Sequence, residues 1–194
     1  MLIAVAGAQG AGKSTVMANL PSQYNKVERK TSRSILADWN VTLDQVNTNY
    51  ELTKRFQDEI LKRKMDDEAQ HCNKSDVWVT ERTFMDLATY TNFTLAMHNE
   101  HNDFVNEYYE KCVKSCKIYD IIFYLRSGWF NVVADNVRGI NEHYSRMVDL
   151  VLEDATREAA KLNNTKLVIV DEREVCDRVA TIVYEIQAFK PAYK

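Results

Sequence analysis

Gly7-Ala8-Gln9-Gly10-Ala11-Gly12-Lys13-Ser14-Thr15 decides how the rest of the chain is read. The spacing is Gly, four residues, then Gly-Lys-Ser, the pattern of a phosphate-binding P-loop. Before it, Leu2-Ile3-Ala4-Val5-Ala6 is a short apolar run, as suits a buried parallel strand. After it, Ser14 to Leu20 can form a helix that Pro21 stops. Successive backbone N–H groups of such a loop turn inward and cradle an anion, and the helix N-terminus adds partial positive charge. Lys13 is placed to reach the outer phosphates of a nucleotide, and the Ser14 hydroxyl to hold Mg²⁺. Three of the chain's 5 glycines fall in this stretch, so they serve the loop rather than general flexibility.

The whole chain sets bounds on the rest. Its 194 residues are most simply one domain, 45% hydrophobic and 27% charged, an ordinary globular composition. The net charge of -3 disfavours nucleic acid as a general partner. Lys26 to Arg33 holds four basic residues against one acid, a local patch that leaves room for such a partner or for a substrate phosphate. No signal peptide is read, and no apolar run approaches the ~20 residues that span a membrane. Cys72, Cys112, Cys116 and Cys176 then read as reduced thiols in a cytoplasm, with Cys112 and Cys116 facing a helix core. His71, His98, His101 and His143 show no metal-ligand spacing. Oligomeric state is not readable, and a homodimer is allowed.

Along the chain, apolar strands alternate with amphipathic helices. Strands are expected near residues 2–6, 25–29, 77–81, 118–125 and 167–170, and helices over 31–39, 50–72, 84–97, 104–116, 144–162 and 174–189. Residues 40–49 read as a polar connection and 99–103 as a polar break. Leu52, Phe56, Ile60, Leu61, Met65, Ala69 and Cys72 set the inward face of one helix. Val148, Val151, Ala155, Ala159 and Leu162 set that of another. This alternation predicts an α/β fold, a five-stranded parallel sheet in the order 2-3-1-4-5 with helices on both faces. A lid-like segment is expected at about 127–146. Ligands gather at the carboxyl ends of such strands, so Gly7, Glu28, Glu81, Arg126 and Asp171 should share one rim.

Two acids compete to serve the metal and the chemistry. Leu167-Val168-Ile169-Val170 followed by Asp171-Glu172 has the form of a Walker B strand, and Asp171 also suits the N-cap of the last helix. Glu81, at the tip of Val77-Trp78-Val79-Thr80, is favoured because Arg82 follows it and because strand 5 should lie at an edge. Glu81-Arg82-Thr83, with Asp86 and Tyr90 downstream, resembles the Asp/Glu-Arg-Ser element of small P-loop nucleoside and nucleotide kinases. These include deoxynucleoside kinases, thymidylate-kinase-like and ribosylnicotinamide-kinase-like proteins, many encoded by bacteriophages.

The resemblance spans most of the chain and is most specific at the P-loop. It implies ATP and Mg²⁺ as cofactors, held at Gly7 to Thr15, with Ser14 and Glu81 on the metal. It implies Glu81 as the base for the accepting hydroxyl and Arg82 as its neighbour. Phe56-Gln57 is similar to the pair that reads the base in that group, and Glu28 and Arg33 stand where the group contacts its acceptor. Arg138 and Arg146 resemble its lid arginines. An inserted arginine stabilises charge on the transferring phosphoryl group, and Arg126 is a third candidate for that role.

The function expected is transfer of the ATP γ-phosphoryl to a hydroxyl or phosphate of a nucleoside- or nucleotide-like acceptor. Some phage proteins similar to this group phosphorylate a hydroxymethyl-modified uracil already in DNA, and that acceptor stays open; such a chain would work in the host cytoplasm. A P-loop ATPase with Asp171 as its Walker B acid is the alternative. An AAA-type motor is disfavoured because no length remains for a helical second domain. A GTPase switch is disfavoured because no Asn-Lys-x-Asp guanine-reading motif is expected in the chain.

Overall fold

The computed structural model describes residues 1–27, 32–72, 75–95, 99–128 and 141–190. In chain order the elements are β1 Leu2–Ala6, α1 Lys13–Asn19, β2 Asn25–Lys26, α2 Ser32–Trp39, α3 Leu43–Asn47, α4 Tyr50–Ala69 and β3 Trp78–Glu81. There follow α5 Phe84–Leu95, α6 Asn102–Ser115, β4 Ile121–Leu125, α7 Glu142–Leu162, β5 Lys166–Val170 and α8 Val175–Ala188. The strands form one sheet in the order β2-β3-β1-β4-β5, every pair parallel. β1 is central, with Val5 beside Glu81 on one side and Phe123 on the other.

Side chains alternate across each strand, and that alternation builds two cores. Leu2, Ala4 and Ala6 pack with Leu61 of α4, Met85 of α5, Tyr108 of α6 and Leu152 of α7. Ile3 and Val5 pack with Val16 of α1 and Ile182 of α8 on the opposite face. Full burial of each larger aliphatic side chain contributes about 1.5–3 kcal/mol. A smaller cluster of Ile35, Val46 and Phe56 joins α2, α3 and α4.

Four local expectations are corrected. The polar connection at 40–49 contains α3, started by a capping box in which Thr42 and Gln45 exchange side-chain and backbone hydrogen bonds. The break at 99–103 is a single 3₁₀ turn, Asn99–His101, running straight into α6. On α7 the inward residues are Val148, Leu152, Ala155, Thr156 and Ala159, while Val151 and Leu162 are exposed. On α4, Lys64 and Glu68 are buried and Met65 is exposed. The lid-like segment 127–146 lies for the most part outside the described residues.

Gly7 fixes the path out of β1. Its φ is +143, and a Cβ there would sit 2.5 Å from the Leu125 carbonyl oxygen at the end of β4. Gly7→Ala should therefore cost about 1–3 kcal/mol of stability. Gly128→Ala, where φ is +97 but a Cβ meets nothing within 4 Å, should cost less. Urea unfolding of the two variants, followed by circular dichroism, checks the order.

Candidate active site

The P-loop leaves β1 and closes on α1. Gly10 and Gly12 have φ of +82 and +83, a left-handed backbone that glycine adopts without strain. Lys13 is buried, and its Nζ donates to the carbonyls of Gly7 at 2.7 Å and Ala8 at 2.9 Å. Ser14 is exposed at the start of α1. Its hydroxyl donates to both oxygens of the Glu81 carboxylate, at 3.1 and 3.2 Å. The parallel β1–β3 pairing sets these two residues side by side.

Glu81 ends β3, and the chain then turns sharply. Arg82 has φ +68, a costly conformation for a residue with a Cβ. Three contacts hold it. Its N–H donates to the Val5 carbonyl at 2.8 Å, its carbonyl accepts from Lys64 Nζ at 2.9 Å, and its guanidinium lies 5.7 Å over the Tyr90 ring. Burial raises the Tyr90 phenol pKa above its ordinary value, while the nearby Arg82 charge opposes the rise. Thr83 and Asp86 close the start of α5. The Thr83 N–H and hydroxyl donate to Asp86 Oδ2 at 2.7 and 2.9 Å. Thr83 at this position therefore serves as a helix cap.

Behind the turn lies a buried polar network. Lys64 and Glu68, one turn apart on α4, form an ion pair with side chains 1% and 0% exposed. Glu68 Oε1 also accepts from the Thr80 hydroxyl at 2.9 Å, and Oε2 from Tyr119 at 2.6 Å. Pairing and hydrogen bonds of this kind offset the cost of burying the two charges. Lys64→Met should leave Glu68 uncompensated and destabilise by about 3–5 kcal/mol, whereas Lys64→Met with Glu68→Leu should recover much of that loss. Chemical denaturation of the single and double variants gives the comparison.

An open cleft of about 810 Å³ runs between Gln9 and Gly10 of the P-loop, Arg126 to Gly128 after β4, and α7. Asp149 ties α7 to β4, accepting from the Tyr124 hydroxyl at 2.8 Å and from the Ser127 N–H at 3.2 Å. Arg126 donates to both oxygens of Glu153, at 2.9 and 3.0 Å, and to Asp171 at 3.1 Å. The hydrogen bond from Arg126 is the largest cause holding the Glu153 carboxyl below its ordinary pKa of 4.5. A depressed carboxylate stabilises the fold above its unfolded pKa, and that contribution disappears as pH falls through the folded value. Glu153→Gln should therefore lower Tm at neutral pH, and the gap from wild type should close well below pH 4.5. Thermal melts across this range test the sign.

The remaining predicted residues are distributed as follows. Gln57 is buried on α4, and its carbonyl accepts from the Tyr108 hydroxyl at 3.0 Å. Arg33 is exposed in the first turn of α2, and Arg146 is exposed on α7 where it lines the cleft. Glu28 and Arg138 lie outside the described residues. Asp171 is not the N-cap of α8; that position is Glu174, and Asp171 binds Arg126 at the tip of the edge strand β5.

Sequence reading missed Arg178, which is fully buried on α8 and donates to three carbonyls. These are Ala11 of the P-loop at 2.6 Å, Glu172 at 2.6 Å and Arg126 at 3.1 Å. An Asn-Lys-x-Asp tetrad is also present, at Asn73-Lys74-Ser75-Asp76, contrary to expectation. It stands ahead of β3. The Met1 amino group donates to the Asp76 carbonyl at 2.9 Å, so Asp76 lies at the sheet end opposite the P-loop. Asn73 and Lys74 are outside the described residues.

A family profile described as an AAA domain matches residues 2–178. The chain belongs to this P-loop AAA domain family. The match runs from β1 into the first turn of α8, which is the whole of the sheet described above. No curated protein matches the sequence.

Solved structures share the fold. Deoxyadenosine kinase from M. mycoides with bound dATP superposes with a TM-score of 0.68 at 19% identity, covering 97% of this chain and 100% of that one. The same kinase with bound dCTP gives 0.64 at 20% identity, with the same coverage. NadR protein in complex with NR gives 0.71 at 16% identity over 99% of this chain and 53% of the other. This AAA-family chain thus has the fold of the P-loop nucleoside kinases. Among the described residues no helix is long and apolar enough to cross a membrane.

Proposed function

We propose that the chain is an ATP-dependent phosphotransferase that moves the γ-phosphoryl group to a hydroxyl or phosphate of a nucleoside- or nucleotide-like acceptor in the cytoplasm. The observation that carries this reading is the contact between the Ser14 hydroxyl and the Glu81 carboxylate at the mouth of the P-loop. Residues 1–194 then act as one kinase domain, with the segment near 127–146 as its lid. The P-loop amides hold the nucleotide phosphates, and Lys13 exchanges its carbonyl partners for phosphate oxygens. Ser14 and Glu81 offer two hard oxygen ligands of the kind that Mg²⁺ takes. Mg²⁺, when bound, neutralises charge on the phosphates.

Glu81 also serves as the base that accepts the acceptor's hydroxyl proton. Arg82, which lies over the Tyr90 ring, is assigned to the acceptor beside it. Gln57, Arg33 and Glu28 are assigned to the acceptor. Arg138 and Arg146 are assigned to the charge that spreads over the transferring group. Named relatives in the fold bind dATP, dCTP and NR, which supports a nucleoside-like acceptor or nucleotide donor. The AAA description of the family favours a second reading, an ATPase in which Glu81 orients water.

Labelled ATP offered with nucleosides, nucleotides, ribosylnicotinamide and hydroxymethyl-modified DNA separates these readings. A kinase consumes little ATP until its acceptor is present; rapid consumption without one selects the ATPase, and label entering only DNA selects the polymer-borne base. Lys13→Ala should abolish transfer with the fold retained. Glu81→Gln should bind ATP nearly normally and lose about 10²–10⁴ in kcat, as removal of a general base does. Asp171→Asn should leave kcat close to wild type. An active Glu81→Gln beside an inactive Asp171→Asn would overturn the choice of acid.

A further inference from the structure

Arg178 is a large charged side chain with no exposed surface, and nothing in the phosphoryl-transfer reading uses it. Its guanidinium reaches three separate segments of the rim. Nη1 donates to Ala11 inside the P-loop at 2.6 Å, Nη2 to Arg126 after β4 at 3.1 Å, and Nε to Glu172 after β5 at 2.6 Å. All three acceptors are backbone carbonyls. Asp171 and Glu172 lie near enough to act on its charge. Surface ion pairing cannot account for this placement, because burying a cation costs far more than an exposed pair returns.

The consequence lies in the Ala11–Gly12 peptide. A trans peptide is planar, so its C=O and N–H point in opposite directions. Arg178 holds the Ala11 carbonyl on its own side of the loop. The Gly12 N–H of the same unit must then point away from Arg178, the orientation that a phosphate cradle needs. A hydrogen bond from a cation also polarises the peptide and makes that N–H a stronger donor. We propose that Arg178 is a positioning residue for nucleotide phosphates, which orients and polarises the Gly12 amide and fixes the P-loop to the tips of β4 and β5. The proposal rests on the reading that the P-loop holds a nucleotide's phosphates. It adds a cation that acts through the backbone of the loop.

Binding of ATP, inorganic tripolyphosphate and adenosine by calorimetry to wild type, Arg178→Met and Arg178→Lys tests it, at a temperature where each is folded by circular dichroism. The Gly12 amide resonance is followed by nuclear magnetic resonance in the same samples. Arg178→Met should weaken ATP and tripolyphosphate by the same factor, about tenfold or more, and leave adenosine unchanged. The Gly12 amide proton should shift upfield as its peptide loses polarisation. Arg178→Lys, which keeps a buried cation but not the fork, should fall between. Unchanged tripolyphosphate affinity in a folded Arg178→Met, or an unmoved Gly12 resonance, overturns the proposal. Should wild type bind neither phosphate ligand, the nucleotide reading falls by itself, and the Gly12 resonance still decides whether the guanidinium sets that amide. Should Arg178→Met not fold, Arg178→Lys carries both readouts.

Discussion

The structure depends on how the chain leaves β1. At Gly7 the backbone passes so close to the Leu125 carbonyl that a single added carbon has no room. That approach requires β4 to lie directly against β1, and the turn it permits sends the chain back as α1. With β4 on one flank, β3 takes the other, and the two tips face each other across the start of the loop. Ser14 and Glu81 meet as a result of this order rather than of any local sequence preference. The sheet comes first, and the site is what its central crevice contains.

The strands were legible because parallel strands buried on both faces are written as solid apolar runs. Leu2–Ala6 and Ile121–Leu125 leave little choice, and the loop at residue 7 forces β1 inward. The helices were legible in existence but not in facing. Apolar periodicity counts every charge as outward, so it gives no sign that Lys64, Glu68 and Arg178 are buried. The i, i+4 spacing of Lys64 and Glu68 is the one local hint of their pairing. α3 did carry a signal, the Thr42-x-x-Gln45 capping box, hidden by the polarity of the residues around it.

The candidate site divides along the same line. Gly7 to Thr15 could be read from spacing alone, since its chemistry is mainly backbone. The choice between Glu81 and Asp171 needed topology. Both end apolar strands, but β3 flanks β1 and β5 is separated from it by β4. Arg126 looked available for catalysis because its partners are remote in sequence. Glu153 and Asp171 stand 27 and 45 residues further on, and no local pattern announces them. The Arg82 conformation was invisible for a similar reason, being imposed by Val5 and Lys64 from two other elements.

The bond from Arg178 to Ala11 spans 167 residues of sequence. A chain synthesised from its N-terminus makes the loop well before it makes the clamp. Closing a loop of that length carries an entropy cost that grows slowly with length, and folds rich in such distant contacts form more slowly. β1, β3, β4 and α5 all precede α8 in the chain, so the contact that fastens the loop is not available until α8 has been made. Docking of α8, which also covers Ile3 and Val5, is then the step that joins core completion to loop order. Closing of the hydrophobic core and fastening of the loop then coincide, so the loop is held in this way only once α8 has docked.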